Sequence, residues 1–179
     1  GSEMCIREIS SIILNGFKPV FVDINLENLS MDIDQVLKKI NKKTLGIFIT
    51  HAQGFNGLND KLLKAINKHK LYLIEDVCES HGATYKNKKL GTFGLMSNFS
   101  FYYAHHMTTI EGGMISTNNK KIYELSKIFR SHGMARESKN QSYENKLIKK
   151  FKDLSPQFIF LYPTLNFRNN EIGACIGIN

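Results

Sequence analysis

A chain of 179 residues with 42% apolar and 22% charged residues is long enough for one domain with a substantial core, and its composition excludes a disordered or fibrous protein. No apolar run approaches the ~20 residues that cross a bilayer. Gly1-Ser2-Glu3-Met4 is neither basic nor apolar as a leader would be, so a cytoplasmic protein with no membrane role is expected. The net charge of +8 raises nucleic acid as a partner. Its excess concentrates between Asn118 and Asp153, where ten Lys/Arg face four Asp/Glu and only Tyr123, Phe129, Tyr143 and Phe151 are aromatic. That pattern suits a solvated helical face better than a base-stacking surface, so no nucleic acid is expected.

Along the chain, helix and strand patterns alternate, which predicts an α/β domain with a mostly parallel or mixed sheet flanked by helices. Cys5 to Leu14 reads as a helix closed near Gly16, and Lys18 to Ile24 as a short, buried, β-rich strand. Asp32 begins a second helix, with Ile33, Val36, Leu37 and Ile40 at helical spacing. Thr44 to Thr50 is the next strand. Asn59 to His69 is a helix with Leu62, Leu63 and Ile66 on one side, and Leu71 to Asp76 a strand that ends on a carboxylate. Strands are then expected at Asn98 to Tyr102 and Met114 to Thr117, and a helix at Lys120 to Arg130. Met134 to Pro156 is polar, lysine-rich and weakly periodic, and reads as a surface excursion.

Ligands of open α/β sheets gather at the carboxyl ends of the strands, which draws attention to Asp76 and the Val77 to Ala83 segment after it. On its own such a carboxylate only caps the following turn. Cys5, Cys78 and Cys175 are odd in number and scattered, with no CxxC, so neither disulfides nor a structural metal site is expected. The His105-His106 pair taken alone is ordinary, and two adjacent side chains on an extended segment point to opposite faces.

The ordered set is more specific. Asp76-x-x-Glu79-Ser80-x-Gly82-Ala83, then Gly91, Phe99-Ser100-Phe101 and Glu111-Gly112-Gly113 resembles the DegT-type sugar aminotransferase family, fold-type I enzymes that use pyridoxal 5′-phosphate (PLP). Gly16-x-x-Pro19-Val20-Phe21-Val22-Asp23 and Asn166-x-Arg168-x-x-Glu171 extend the resemblance over nearly the whole chain. It implies that the chain is the large-domain core of such an enzyme. The family is longer, so residues 1–179 are expected to be a fragment: a partial PLP-binding large domain, with an earlier phosphate-binding turn, a ring-stacking aromatic and a small C-terminal domain lying outside them.

The resemblance also assigns roles. Asp76 matches the aspartate that pairs with the pyridine nitrogen, an anion that keeps the ring protonated and electron-accepting. Glu79 matches a position beside the cofactor ring, and Ser100 a phosphate-binding hydroxyl. Asn166 matches an asparagine that reaches the partner subunit's cofactor phosphate, implying a homodimer. The family's Schiff-base lysine stands five residues after that serine; here the place is His105, and no lysine occurs between Leu90 and Asn119. Histidine cannot anchor the aldehyde covalently, but it moves protons near neutral pH.

That exchange resembles the nucleotide-sugar 3-dehydratase branch, in which pyridoxamine 5′-phosphate (PMP) condenses with a 4-keto-6-deoxy sugar and histidine catalyses loss of the C3 hydroxyl, on the way to deoxysugars of lipopolysaccharide. One dehydratase type holds an iron–sulfur cluster on four cysteines. Cys78 matches one of these, and no other cysteine occurs between Glu79 and Ala174. The chain therefore resembles the cluster-free type, which acts on a GDP-linked sugar with glutamate as amine donor. A lysine-type sugar aminotransferase and a noncatalytic remnant that keeps the fold are the competing readings.

Overall fold

In Gly46–Thr50 the side chains alternate between two sheet faces, as they must in any strand, and this alternation divides core from site. In the computed structural model, which describes residues 6–138 and 140–178, that strand is β1. It runs parallel to β2 (Tyr72–Asp76), which pairs in parallel with β5 (Met96–Ser100); β6 (Gly113–Ser116) adds antiparallel. The sheet order is β1-β2-β5-β6. A two-residue hairpin, β3 (Thr84–Tyr85) with β4 (Lys88–Lys89), lies between β2 and β5.

Ile47, Ile49, Leu73 and Glu75 share one face through the pairings Ile47–Leu73 and Ile49–Glu75. Two helices cover it, α2 (Ile33–Lys39) and α3 (Asp60–His69), which contribute Val36, Leu62 and Ile66 to one core cluster. Each starts on a side-chain cap: the Asp32 carboxylate accepts from the Asp34 and Gln35 N–H groups, and Asn59 Oδ1 from Leu62 N–H. α3 ends at Lys70, which takes a left-handed conformation.

Glu75 belongs to the core face yet carries a charge. Its carboxylate accepts from the backbone N–H groups of Gly91 at 2.7 Å, Phe93 at 2.8 Å and Gly94 at 2.7 Å. His51 Nε2 adds a fourth contact at 3.3 Å, with both side chains fully buried. Because the Gly57 N–H donates to His51 Nδ1, the imidazole proton sits on Nε2, facing Glu75. The 91–94 loop can close on the carboxylate only because it lacks side chains at two points. Gly91 has φ +85°, and a Cβ at Gly94 would stand 2.5 Å from the Leu73 carbonyl oxygen.

The opposite face carries Phe48, Thr50, Ile74, Asp76 and Asn98. Toward it lies α1 (Ile6–Leu14), whose Glu8 is buried and bonds its carboxyl to that of Asp76. The later chain adds α4 (Lys120–Phe129), α5 (Gln141–Lys150) and α6 (Glu171–Ile178). No described helix is long and apolar enough to cross a membrane.

Two expectations need correction. Lys18 to Ile24 forms no strand; the one bridge there joins Ile24 to Met31, and Val20 and Phe21 are exposed. A β-rich run becomes a strand only when another strand lies alongside to take its hydrogen bonds, and among the described residues none does. The excursion at Met134 to Pro156 contains α5, whose Leu147 packs with Ala135, Ile159, Phe151 and Leu161 in a second small core. One apolar stripe on an otherwise polar helix leaves little periodicity to read. The lysines Lys146, Lys149 and Lys150 face solvent. Cys5 lies outside the described residues.

Two titrations should register in stability. Burial opposes the charge of Glu75, but the His51 and backbone N–H bonds outweigh it and hold the carboxyl below its ordinary 4.5. Its contribution is thus present above pH 4.5 and lost as acid protonates it. Glu75→Gln, which turns an amide N–H₂ onto N–H donors, should lower unfolding stability by about 3 kcal/mol in urea titrations at neutral pH. Glu8 behaves oppositely: burial first, then the bond to Asp76, pushes it up to about 8. Between pH 4.5 and 8 the folded chain keeps a proton that the unfolded chain releases, so stability should fall as pH rises through this window. Glu8→Gln should flatten that slope in urea midpoints measured across it.

Candidate active site

Three parallel strands end together at one edge of the sheet, where Thr50, Asp76 and Asn98 stand in register and Ser100 lies two residues further along β5. These residues line a cavity of about 320 Å³, together with Glu8, Cys78, Glu79 and His105. Gly112 and Gly113, which lead into β6, form part of its wall. Asp76, placed at a strand end by the sequence, and Glu79, Ser100 and His105, named by the family resemblance, line this one cavity.

Asp76 is 7% exposed and accepts from Cys78 N–H at 2.9 Å. Burial disfavours its charge, but hydrogen bonds from Glu8, Cys78 and Asn98 overcome this and keep the carboxyl below its ordinary value. Two carboxyls in contact therefore divide their roles, Asp76 ionised and Glu8 protonated. Burial, reinforced by Asp76, pushes the Cys78 thiol far up, so this sulfur is no nucleophile near neutral pH. It accepts instead from Asn98 Nδ2 at 3.3 Å.

Glu79 is placed by a loop contact: its Oε2 accepts from the Gln53 N–H at 3.1 Å. Gln53 has φ +50°, an uncommon conformation for a residue with a side chain. Ser80 anchors the same loop, donating its hydroxyl to the His51 carbonyl at 2.6 Å and accepting from Gly54 N–H at 3.0 Å. Ser100 is 6% exposed, and its Oγ accepts from Tyr102 N–H at 3.3 Å.

After Ser100 the chain turns rather than continuing as a strand, and His105 N–H closes onto the Tyr102 carbonyl at 3.0 Å. The His105 ring meets that of Tyr102 edge-on at 6.2 Å, and its Nε2 is buried without a hydrogen-bond partner. His105 also lines a second cavity of about 460 Å³ with Arg7, Gln53, Glu79, Tyr102 and His106. The expectation that His106 turns wholly away assumed an extended segment. In the turn it faces this outer cavity but not the inner one, its ring 6.0 Å from that of His81. Burial, with smaller effects of His106 and His105, keeps His81 below the ordinary histidine value.

Asn166 is not brought to the site of its own chain. It is exposed, bridges to Ser131, and accepts from Arg168 Nε at 2.8 Å. Several cavity residues were missed from sequence, among them Thr50, Gln53, Asn98, Tyr102, Arg7 and Glu8. Asn98 carried a usable signal, since it stands two residues before Ser100 on the same strand face. Arg7 and Glu8 carried none, because only folding brings α1 onto the strand ends.

The arrangement offers a buried anion, a hydroxyl and an unpartnered imidazole around one cavity, a set suited to holding a polar ligand and moving protons on it. The profile of the DegT/DnrJ/EryC1/StrS aminotransferase family matches residues 8–179. A GDP-4-keto-6-deoxy-D-mannose 3-dehydratase of Escherichia coli O55:H7 is 37% identical over 165 residues, covering 91% of this chain and 42% of that protein. A crystal structure of GDP-4-keto-6-deoxymannose-3-dehydratase (ColD), a histidine-to-asparagine variant with bound GDP-perosamine, superimposes with a TM-score of 0.83 at 35% identity. It covers 95% of this chain and 44% of that one. A further structure of GDP-4-keto-6-deoxymannose-3-dehydratase, with a trapped PLP-glutamate geminal diamine, gives a TM-score of 0.80 at 32% identity, with the same two coverages. The chain therefore spans less than half the length of these relatives. With nearly all its residues matched and its sheet superimposed on theirs, the chain belongs to the DegT/DnrJ/EryC1/StrS aminotransferase family and has the fold-type I architecture.

Proposed function

We propose that this chain carries the cofactor site of a PLP/PMP-dependent nucleotide-sugar 3-dehydratase, which removes the C3 hydroxyl of a 4-keto-6-deoxy sugar in deoxysugar and lipopolysaccharide biosynthesis. The observation that carries the reading is His105. Its buried, unpartnered Nε2 belongs to a residue lining the same cavity as Asp76 and Ser100, and among the described residues no lysine lines either cavity.

The residues fit the cofactor. Asp76, kept anionic inside the protein, suits a protonated ring nitrogen, and Ser100 can offer its hydroxyl to a phosphate. Glu79 would stand beside the ring, with its carboxylate steadied by Gln53. The buried Asn98 Oδ1, without a hydrogen-bond partner among the described residues, is a further polar atom a ligand could satisfy. Asn166, exposed and outside its own cavity, would serve the partner subunit's phosphate in a homodimer. Bound PMP would supply an amine for a C4 ketone and a conjugated ring that takes up the electron pair freed by proton removal and passes it on to expel the C3 hydroxyl.

His105 then has two tasks on one nitrogen. Its neutral Nε2 takes a proton from carbon beside the ring, and the protonated imidazole returns it to the departing hydroxyl. Glutamate is the proposed amine donor and the nucleotide sugar the proposed substrate. The aminotransferase reading is favoured by the family to which the chain belongs, but it requires a lysine, and none lines the two cavities among the described residues.

The test uses the cofactor-loaded full chain with GDP-4-keto-6-deoxymannose and glutamate, reading release of the keto-deoxy sugar. His105→Asn should bind cofactor nearly as wild type does and lose ~10²–10⁴-fold in turnover. His106→Asn should keep most activity. His105→Lys should attach the cofactor covalently, giving a reduced adduct by mass spectrometry after borohydride treatment, and should suppress dehydration. If His105→Asn turns over like wild type, the proposal fails; if His106→Asn is the dead variant, the proton belongs to the neighbouring imidazole.

A further inference from the structure

The outer cavity carries a charge that the proposed dehydration leaves unused. Arg7, on α1, lines both cavities, and no other described lining residue bears a fixed positive charge. Its guanidinium carbon lies 5.4 Å above the ring centroid of Tyr102, whose ring in turn meets that of His105 at 6.2 Å. Among the described residues no carboxylate is within ion-pairing distance of it. A guanidinium resting on an aromatic face keeps its edge N–H groups for a ligand, and their planar fork matches a carboxylate.

We propose that Arg7 binds the α-carboxylate of the amino acid that supplies the amine, with Tyr102 as its platform and Glu79 facing the donor's ammonium group. The inference rests on the proposed use of an amino-acid donor. In such a donor the carboxylate is only two bonds from the amine nitrogen, so its receptor must share a cavity with the group that handles protons on that amine. Arg7 and His105 share both cavities. Glu79 lines both as well, so the two opposite charges of an amino acid meet opposite charges in one space. A nucleotide diphosphate is the other anion this enzyme class would hold. It carries at least two charges and is generally met by several cations, whereas one fork suits one carboxylate.

Calorimetric titration of the PLP-loaded full chain with 2-oxoglutarate tests this. The probe keeps the α-carboxylate but has no amine, so binding is read without turnover. Arg7→Met should weaken it ~10–100-fold, the usual worth of a charged hydrogen-bonded contact, and Arg7→Lys by less. GDP, titrated separately, should bind as in wild type. Unchanged 2-oxoglutarate affinity in Arg7→Met, absence of binding by wild type, or loss of GDP affinity instead would each overturn the inference. If Arg7→Met fails to fold or load cofactor, the wild type decides: isoglutamine, the α-amide, should aminate the cofactor far less readily than glutamate, and equal rates would overturn it. A wild type that takes its amine from glutamate yet releases no deoxygenated sugar would sink the dehydratase reading and leave Arg7 in place.

Discussion

The buried carboxylate of Glu75 is the constraint on which the rest of the structure depends. A charge on the core face of a central strand is tolerable only if its oxygens are fully engaged, and here three backbone N–H groups and one imidazole engage them. Those bonds fold the 91–94 loop back against the strand, which sets where β5 begins. They also bind β1 to β2 beyond their ladder, because His51 follows the last residue of β1. The glycines at 91 and 94 let the backbone come that close.

The next residue of β2 faces the other way. Glu75 and Asp76 are adjacent carboxylates on opposite sides of one strand, and the period of two assigns the first to architecture and the second to the cavity. Asp76 stays ionised within the protein because Glu8 gives it a proton to share and Cys78 and Asn98 donate to it. The same contact makes Glu8 a weak acid, so the charge of the cavity floor is settled between two helix-and-strand neighbours rather than by solvent.

Beyond Ser100 the chain leaves the sheet and turns. A turn closed by His105 N–H on the Tyr102 carbonyl brings the imidazole back over the cavity that Asp76 and Ser100 line. The segment that holds this imidazole joins β5 to β6, two hydrogen-bonded strands, so both of its ends are held by the sheet. Tyr102 links this turn to α1 through its contacts with both Arg7 and His105.

The sequence alone determined the α/β alternation and the strand that ends at Asp76, because strand period and helix caps are local properties of the chain. The grouping of Asp76, Glu79, Ser100 and His105 was legible only through resemblance to a family. Asn98 was legible too, by the same period of two as Ser100, though the motif alone did not single it out. Other features came only from the tertiary structure. Lys18 to Ile24 has a strand's composition but no neighbouring strand, and α5 exists because Leu147 finds Ala135 and Ile159. Arg7 and Glu8 gave no local sign of belonging to a site whose other members lie from Phe48 to Gly113. Whether a charged residue on a helix faces solvent or a cavity depends on what packs against the helix, and that is a property of contacts distant in sequence rather than of the residue itself.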